Sequence, residues 1–345
     1  MTRLYCTEGI IMISREITKE QSYILKGIGI LLMVVHHFFT FPEWIIAGGG
    51  GYAPNLLFAE ILKSPTKLCV CIFAFVSGWA IALGKLTYKE AFRRIKQLFI
   101  NFWCIAIPSI VFAVLICGFK ISALDICKEL LGLKNSVMIF SWYVPFYTVS
   151  MILMTFIQKW LDSDIRIALL AGVILPVGVL TVMRRLPLPS EIQKIFVDLR
   201  HWFPAIVMGY ICNRYHWFEK VNNMLGRVNR ILVSMVLIVI CILARYVTSG
   251  LDFIYSAMLV FAIVNLRLDP ETYSGRFLCT YGKHSSDIWF LHCLYFGEAT
   301  RAFVQPLAYW AKYPLLIFIV AIVELLCCSE IIFQIKKRSK IRISH

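Results

Sequence analysis

The stretch 26-KGIGILLMVVHHFFT-40 decides the fold, because it is apolar over most of its length yet carries a cation and two histidines. Lys26 and His37 are eleven residues apart. An α-helix turns about 100° per residue, so this separation falls within about 20° of three full turns. The two side chains are therefore predicted to share one helix face, roughly 16 Å apart along the axis. His36 points about 100° away from that face.

Two interpretations of these polar residues are open. Ionisable side chains inside a bilayer are costly and usually face a bundle interior or a wet cavity, which favours a functional role. Lys26 can instead be an anchor whose amine reaches the headgroups. His37 can likewise be a structural histidine held by a hydrogen bond, and so can His292, the second histidine in the middle of an apolar run.

The composition is that of an integral membrane protein. The 345 residues are 59% hydrophobic and 16% charged, with a mean hydropathy of +0.75, whereas soluble domains carry about 25% charged residues. Runs of about 20 apolar residues recur along the chain, so we predict an all-α fold, a polytopic transmembrane helical bundle. The net charge of +15 does not indicate a nucleic-acid partner, because the basic residues lie in short clusters between apolar runs.

We predict about ten spans, with both termini in the cytoplasm. The spans are expected at 23–42, 67–84, 97–118, 142–158, 166–183, 201–213 (beginning earlier), 230–247, 251–266, 286–300 and 314–334. They define a cytoplasmic segment (1–22), a transmembrane domain (23–335) and a basic cytoplasmic tail (336–345).

The loop after the second span gives the strongest indication of orientation. It carries Lys85, Lys89, Arg93, Arg94 and Lys96 against a single Glu90. Such a cluster is typical of a cytoplasmic loop. The segment is predicted either to lie as an amphipathic helix on anionic lipid or to bind a polyanionic cofactor.

One basic region departs from the charge pattern, and no metal site is predicted. Arg184, Arg185 and Arg200 fall on the expected outer side, where they can meet an anionic acceptor or lie re-entrant near the site, unless the number of spans differs from ten. The twelve cysteines include no C-x-x-C pair, and His36 and His37 have no carboxylate at ligand spacing.

Several segments together resemble the integral-membrane acyltransferase family numbered three, which includes O-acetyltransferases of cell-surface and exported polysaccharides. Its first-span signature is a basic residue, ten intervening residues and a histidine, which resembles Lys26 and His37; lysine stands here where the family commonly has arginine. The other similar segments are Phe73 to Trp79 with Ser77, then Arg93, Arg94 and Lys96, then Trp142 and Tyr143, then Arg200, Phe203, Pro204 and Gly209, and finally Gly282, Lys283, Ser285, Ile288, Trp289 and His292. The matches run across about residues 20–335, and the resemblance implies the stand-alone form of the family.

The resemblance implies an enzyme that moves an acyl group from cytoplasmic acyl-CoA, most commonly acetyl-CoA, to an extracytoplasmic glycan or glycolipid. His37 is then the catalytic residue, as general base or as nucleophile. Lys26, Arg93 and Arg94 are the expected ligands of the CoA phosphates. Candidates for the substrate site are His36, Ser77, Trp142, Arg200 and His292. The implied location is a bacterial plasma or inner membrane, crossed many times.

Other function classes compete with this hypothesis. A transporter or flippase would also place polar residues within spans, but no internal repeat is evident. A glycosyltransferase that uses a lipid-linked sugar usually needs paired acidic residues in the first outer loop, which here has only Glu43 and Glu60, far apart. A non-enzymatic scaffold would not require Lys26 and His37 to be aligned. For Ser77, simple helix packing beside Gly78 competes with a place in a substrate tunnel.

Overall fold

The computed structural model describes residues 17–48 and 52–339, and this part of the chain is helical, without a strand. Its helices are α1 (Lys19–Phe39), α2 (Pro42–Ala47), α3 (Leu56–Thr66), α4 (Leu68–Ala82), α5 (Tyr88–Leu115), α6 (Ala123–Leu130), α7 (Tyr143–Leu161), α8 (Ile165–Leu169), a π-helical turn (Leu170–Ile174), α9 (Leu175–Met183), α10 (Ser190–Arg214), α11 (Trp217–Leu225), α12 (Arg230–Val247), α13 (Asp252–Asn265), α14 (Tyr273–Lys283), α15 (Ser285–Leu291), α16 (Cys293–Phe296), α17 (Arg301–Tyr309) and α18 (Pro314–Arg338). Most of the predicted N-terminal segment (1–16), part of the first outer loop (49–51) and part of the basic tail (340–345) lie outside the described residues.

Several of these helices have the length and composition of membrane spans, which confirms the all-α membrane class. In the described part of the chain there are seven such helical stretches: Lys19–Phe39, Leu56–Ala82, Tyr88–Leu115, Ile165–Met183, Ser190–Arg214, Arg230–Val247 and Pro314–Arg338. The spans expected at 142–158, 251–266 and 286–300 coincide with α7, α13 and the α15–α16 segment, which are helical but are not among the seven. The count of ten and the orientation of the termini stay predictions.

Several span boundaries differ from the sequence prediction: the helical stretch Leu56–Ala82 begins well before 67, and α5 begins at Tyr88 rather than near 97. For the first and the ninth predicted spans the reason is local. α1 begins four residues early, inside the segment predicted as cytoplasmic (1–22), because Thr18 caps it: Thr18 Oγ1 accepts from Gln21 N at 3.2 Å, and Gln21 Oε1 accepts from Thr18 N at 3.0 Å. The apolar run 286–300 is not one helix, because α16 ends at Gly297, whose backbone is extended (ψ 134°).

Glycines let the central helices touch backbone to backbone. A Cβ added to Gly78 of α4 would lie 1.7 Å from the Ile206 carbonyl oxygen of α10, and one added to Gly209 of α10 would lie 2.0 Å from that of Phe75. α1 meets α14 in the same way at Gly27. Small residues at such crossings allow the close packing that stabilises helix pairs in membranes, where hydrocarbon gives no hydrophobic driving force.

Gly209→Ala is expected to destabilise the protein, because overpacking a close contact costs about 1–3 kcal/mol or more. The apparent melting temperature of purified protein in detergent should fall clearly. Gly178→Ala in α9 is the matched control, since an added Cβ there meets nothing within 4 Å and alanine favours a helix interior by about 1 kcal/mol. Equal melting temperatures for the two variants would contradict the packing described here.

Candidate active site

A hydrogen-bonded pair of imidazoles lies at the centre of the bundle. His37, near the end of α1, and His292, between α15 and α16, are joined by Nδ1 and Nε2 atoms 3.1 Å apart. Both residues are buried, and His292 Nδ1 has no hydrogen-bond partner among the described residues. Because one nitrogen of each neutral imidazole donates and the other accepts, the tautomer of one ring dictates that of the other.

An aromatic cage encloses this pair. The Phe140 ring stacks on His37 with a centroid distance of 3.8 Å, and lies parallel to His292, at 3° and 4.7 Å. Phe41 stacks on His37 from 5.9 Å, and Phe296 is 6.3 Å away. The ring faces are therefore covered by apolar carbon, so that a reacting group can approach His37 only at its edge.

His36 is turned away from the pair, as the helix geometry predicted, and holds α1 against the end of α3. Its Nδ1 is 3.0 Å from Thr66 Oγ1, and Thr66 Oγ1 donates its own hydrogen to the Leu62 carbonyl oxygen at 2.6 Å. The His36 nitrogen must therefore donate to Thr66, which fixes its tautomer. Thr40 Oγ1 lies 3.4 Å from the same nitrogen. These contacts favour a structural role for His36.

A cavity of about 380 Å³ is lined by four of the predicted donor-binding and substrate-site residues. They are Lys26, Ser77, Arg93 and Arg94. Other lining side chains include Ser22, Gln97, Asn101, Tyr143, Tyr147, Ser285 and Trp289. The structure thus brings together the three cations that the sequence predicted as donor ligands, although their role stays a prediction.

The charge around this cavity is positive. Glu90 Oε1 accepts from Arg93 Nη2 at 2.7 Å and from Arg94 Nε at 2.9 Å, so that one carboxylate holds both guanidinium groups. Among the described residues, no carboxylate lies within ion-pair distance of Lys26, whose amine is 5.8 Å from the centre of the Tyr23 ring. Three cations and one carboxylate leave an excess of positive charge that suits a phosphorylated ligand.

Aromatic side chains lie between the cavity and the imidazole pair. Trp289 lines the cavity, and its ring centre is 6.1 Å from that of His292. Trp142 is 6.3 Å from Trp289, which places this sequence candidate in the same aromatic layer. On this face of α1, Lys26 therefore lines the cavity near one end of the helix, and His37 lies inside the aromatic cage near the other end.

Arg200 lines neither the cavity nor the aromatic cage. Its Nε donates to Thr181 Oγ1 at 2.8 Å, a contact that ties α10 to α9. Its proposed place in a substrate site stays a prediction. Sequence reasoning missed Phe140 altogether; it named Tyr143 and Trp289 in the family resemblance but did not predict that they line the cavity. An aromatic run such as 140–147 is typical of the membrane interface, and no sequence pattern tells which ring of such a run will face a histidine.

A buried ion pair anchors the helix that carries His292. Lys336 Nζ of α18 lies 2.5 Å from Asp287 Oδ1 of α15, and both residues are buried. In the described part of the chain, no group of three or more His, Cys, Asp and Glu residues is arranged to hold a metal ion.

Comparison with known proteins adds a family. A family model described as an acyltransferase domain matches residues 23–329. No curated protein matches the chain significantly. No solved structure matches it significantly either.

Lys336→Met is expected to destabilise the protein by about 3–5 kcal/mol, because it leaves the buried Asp287 carboxylate without its partner. Thermal unfolding in detergent measures the effect. Arg276→Met is the control, because Arg276 and Glu271 form an ion pair whose side chains are 66% and 81% exposed; it should leave the melting temperature unchanged. A control variant that is as unstable as Lys336→Met would refute the anchoring role.

Proposed function

Because the chain belongs to acyltransferase family 3, whose model covers residues 23–329, we propose that it is a membrane-embedded O-acyltransferase. It moves an acyl group, acetyl by default, from cytoplasmic acyl-CoA to a hydroxyl of an extracytoplasmic glycan or glycolipid. The observation that carries this proposal is the pairing, along one face of α1, of a three-cation cavity at Lys26 with a caged imidazole at His37.

The cavity suits the phosphorylated end of the donor. CoA carries several phosphate groups, and Lys26, Arg93 and Arg94 can donate charge-assisted hydrogen bonds to them. Arginine can form two parallel bonds with one phosphate, whereas Lys26 acts as a point charge. With the phosphates held there, the thioester arm has to pass Trp289 and Tyr143 to reach His37.

The imidazole pair suits proton transfer. When His37 Nδ1–H donates to His292 Nε2, the His37 Nε2 lone pair is free to take the proton of the acceptor hydroxyl. The hydroxyl oxygen then bonds to the thioester carbonyl carbon, the C–S bond breaks, and the CoA sulfur leaves with that proton. In the alternative route His37 Nε2 attacks the thioester carbonyl carbon, the C–S bond breaks, and CoA leaves as its thiolate. The acceptor hydroxyl oxygen then bonds to the acyl carbon of the acyl-imidazole, the N–C bond breaks, and the hydroxyl proton ends on the CoA sulfur. His292 orients His37 in both routes.

The proposal also covers the number of membrane crossings and the side on which each terminus lies. Ten crossings would place both termini, and the cluster at Arg93 and Arg94, in the cytoplasm, where the donor is made. Basic residues at the end of α18 support this orientation. The enzyme would then lie in a bacterial cell membrane, with its acceptor on the outer side.

Reporter fusions test the topology. A fluorescent protein fused after residue 345 should fluoresce, and alkaline phosphatase at the same point should be inactive, if the C-terminus is cytoplasmic. Insertion after Leu188 should give the opposite pattern, because that loop is expected outside. Equal results at both points would require an even number of crossings, or none, between 188 and 345.

Replacement of His37 and of Lys26 should separate chemistry from binding. In nanodiscs with radiolabelled acetyl-CoA, His37→Ala should bind the donor normally and lose about 10²–10⁴-fold in transfer, the usual contribution of a general base. Lys26→Ala should weaken donor binding by about ten- to a hundredfold, because a hydrogen bond to a charged group is worth about 1.5–3 kcal/mol. Lys26→Arg is the matched control and should bind at least as well as the wild type.

A wild type without donor binding or transfer would contradict the proposal. If the wild type binds no CoA and yields no labelled product with several acyl groups and cell-envelope glycan acceptors, the acyltransferase proposal fails. The transporter or flippase hypothesis would then take its place.

A further inference from the structure

The loop between α6 and α7, residues 131–142, is organised by one buried carboxylate. Glu129 has no solvent-exposed surface. Its Oε1 accepts from Ser136 N at 2.5 Å and from Val137 N at 3.0 Å, and its Oε2 accepts from Met138 N at 3.2 Å. Burial raises the pKa of Glu129, while the three N–H groups act in the opposite direction. Among the described residues it forms no ion pair, so the backbone of the loop is its binding partner.

The other side of this loop rests on the segment that carries His292. Ala299 N donates to the Ser136 carbonyl oxygen at 3.2 Å, and Trp289 Nε1 donates to that of Phe140 at 3.3 Å. A Cβ on Gly297 would lie only 2.3 Å from the Val137 carbonyl oxygen. The loop is therefore clamped between the Glu129 carboxylate and the α15–α17 segment.

Phe140 is the side chain that this clamp places against the imidazoles. Its ring covers His37 at 3.8 Å and His292 at 4.7 Å. A shift of the loop by a fraction of an ångström would loosen both stacking contacts, and a misplacement of about 1 Å in a catalytic group can cost about 100-fold in rate.

We infer that Glu129 is a positioning residue that acts through the loop to seat Phe140 on the His37–His292 pair. The expected effect on kcat rests on the proposed function. The placement of Phe140 by Glu129 does not depend on it. Glu129 touches neither imidazole, so its effect on them is transmitted by Ser136, Val137 and Met138.

Glu129→Gln changes the fewest atoms. One carboxylate oxygen becomes an amide NH2 group, which then faces either the Met138 N–H or the N–H groups of Ser136 and Val137, donor to donor. The matched control is Glu191→Gln. Glu191 binds Lys128, the neighbour of Glu129, at 2.7 Å, and its own side chain is not bound to the loop in the described structure.

The first measurement is spectroscopic and needs no activity. The chain has seven histidines, which can be isotope-labelled in nanodiscs and assigned with His37→Gln and His292→Gln. The Phe140 ring current should shift the His37 and His292 ring signals in the wild type, and Phe140→Leu should remove that shift. Glu129→Gln should reproduce most of the change seen in Phe140→Leu, whereas Glu191→Gln should resemble the wild type.

The second measurement is kinetic. Glu129→Gln is expected to lower kcat by about 100-fold, with the KM for the acyl donor changed less than twofold, because the cation cavity is untouched. Because a partial loss of folded protein would also lower the apparent kcat at an unchanged KM, kcat is calculated per folded enzyme, and the folded fraction is measured by the stoichiometry of donor binding. Wild-type ring-current shifts in folded Glu129→Gln protein would overturn the inference, whatever the activity.

Two further outcomes have a defined meaning. If the wild type transfers no acyl group, the proposed function fails, while the histidine spectra still decide the role of Glu129. If Glu129→Gln does not fold, Gly297→Ala replaces it, since its added Cβ displaces Val137 from the opposite side. If Gly297→Ala shows the same spectral change, this supports the loop as the element that positions Phe140. Unchanged spectra would overturn the inference.

Discussion

The hydrogen bond between His37 and His292 is the interaction on which the site depends. Hydrocarbon offers a polar side chain no partner, so each imidazole buried in the bundle has to find one within the protein. The partner of His37 lies 255 residues away in the chain. The first helix and the broken segment near the end must therefore be held together for the site to exist, and several otherwise unrelated contacts serve this purpose.

Those contacts surround the pair from three directions. On one side Asp287 and Lys336 fix α15 to α18. α1 is pressed onto α14 where Gly27 and Gly282 leave no room for a Cβ, each glycine facing a carbonyl of the other helix. On a third side the loop between α6 and α7, which is bound by Glu129, places Phe140 over the pair. Removing any one of these contacts would leave the sequence motif intact while shifting the geometry of the pair.

Periodicity and composition predicted what is local. They gave the helical class, the shared face of Lys26 and His37, the outward turn of His36 and the early start of α10, since each depends on residues within a few turns. The partner of His37, the seat of Phe140 and the break after Phe296 depend on contacts between distant parts of the chain, so a single sequence holds little trace of them. The role of Glu129 could not be predicted either, because the backbone N–H groups that it binds have no sequence signature.

The arrangement along α1 explains how one helix can serve both ends of the proposed reaction. The cations of the cavity outnumber their partners, because Arg93 and Arg94 share Glu90, so they need a wet, open cavity. A general base is more effective in dry surroundings. The rings around His37 exclude water that would otherwise compete for the proton. Three helical turns separate these two environments while keeping them on one face. A donor held by its phosphates at the wet end would therefore present its thioester at a depth set by the helix itself, and packing at Gly27 keeps that helix from sliding.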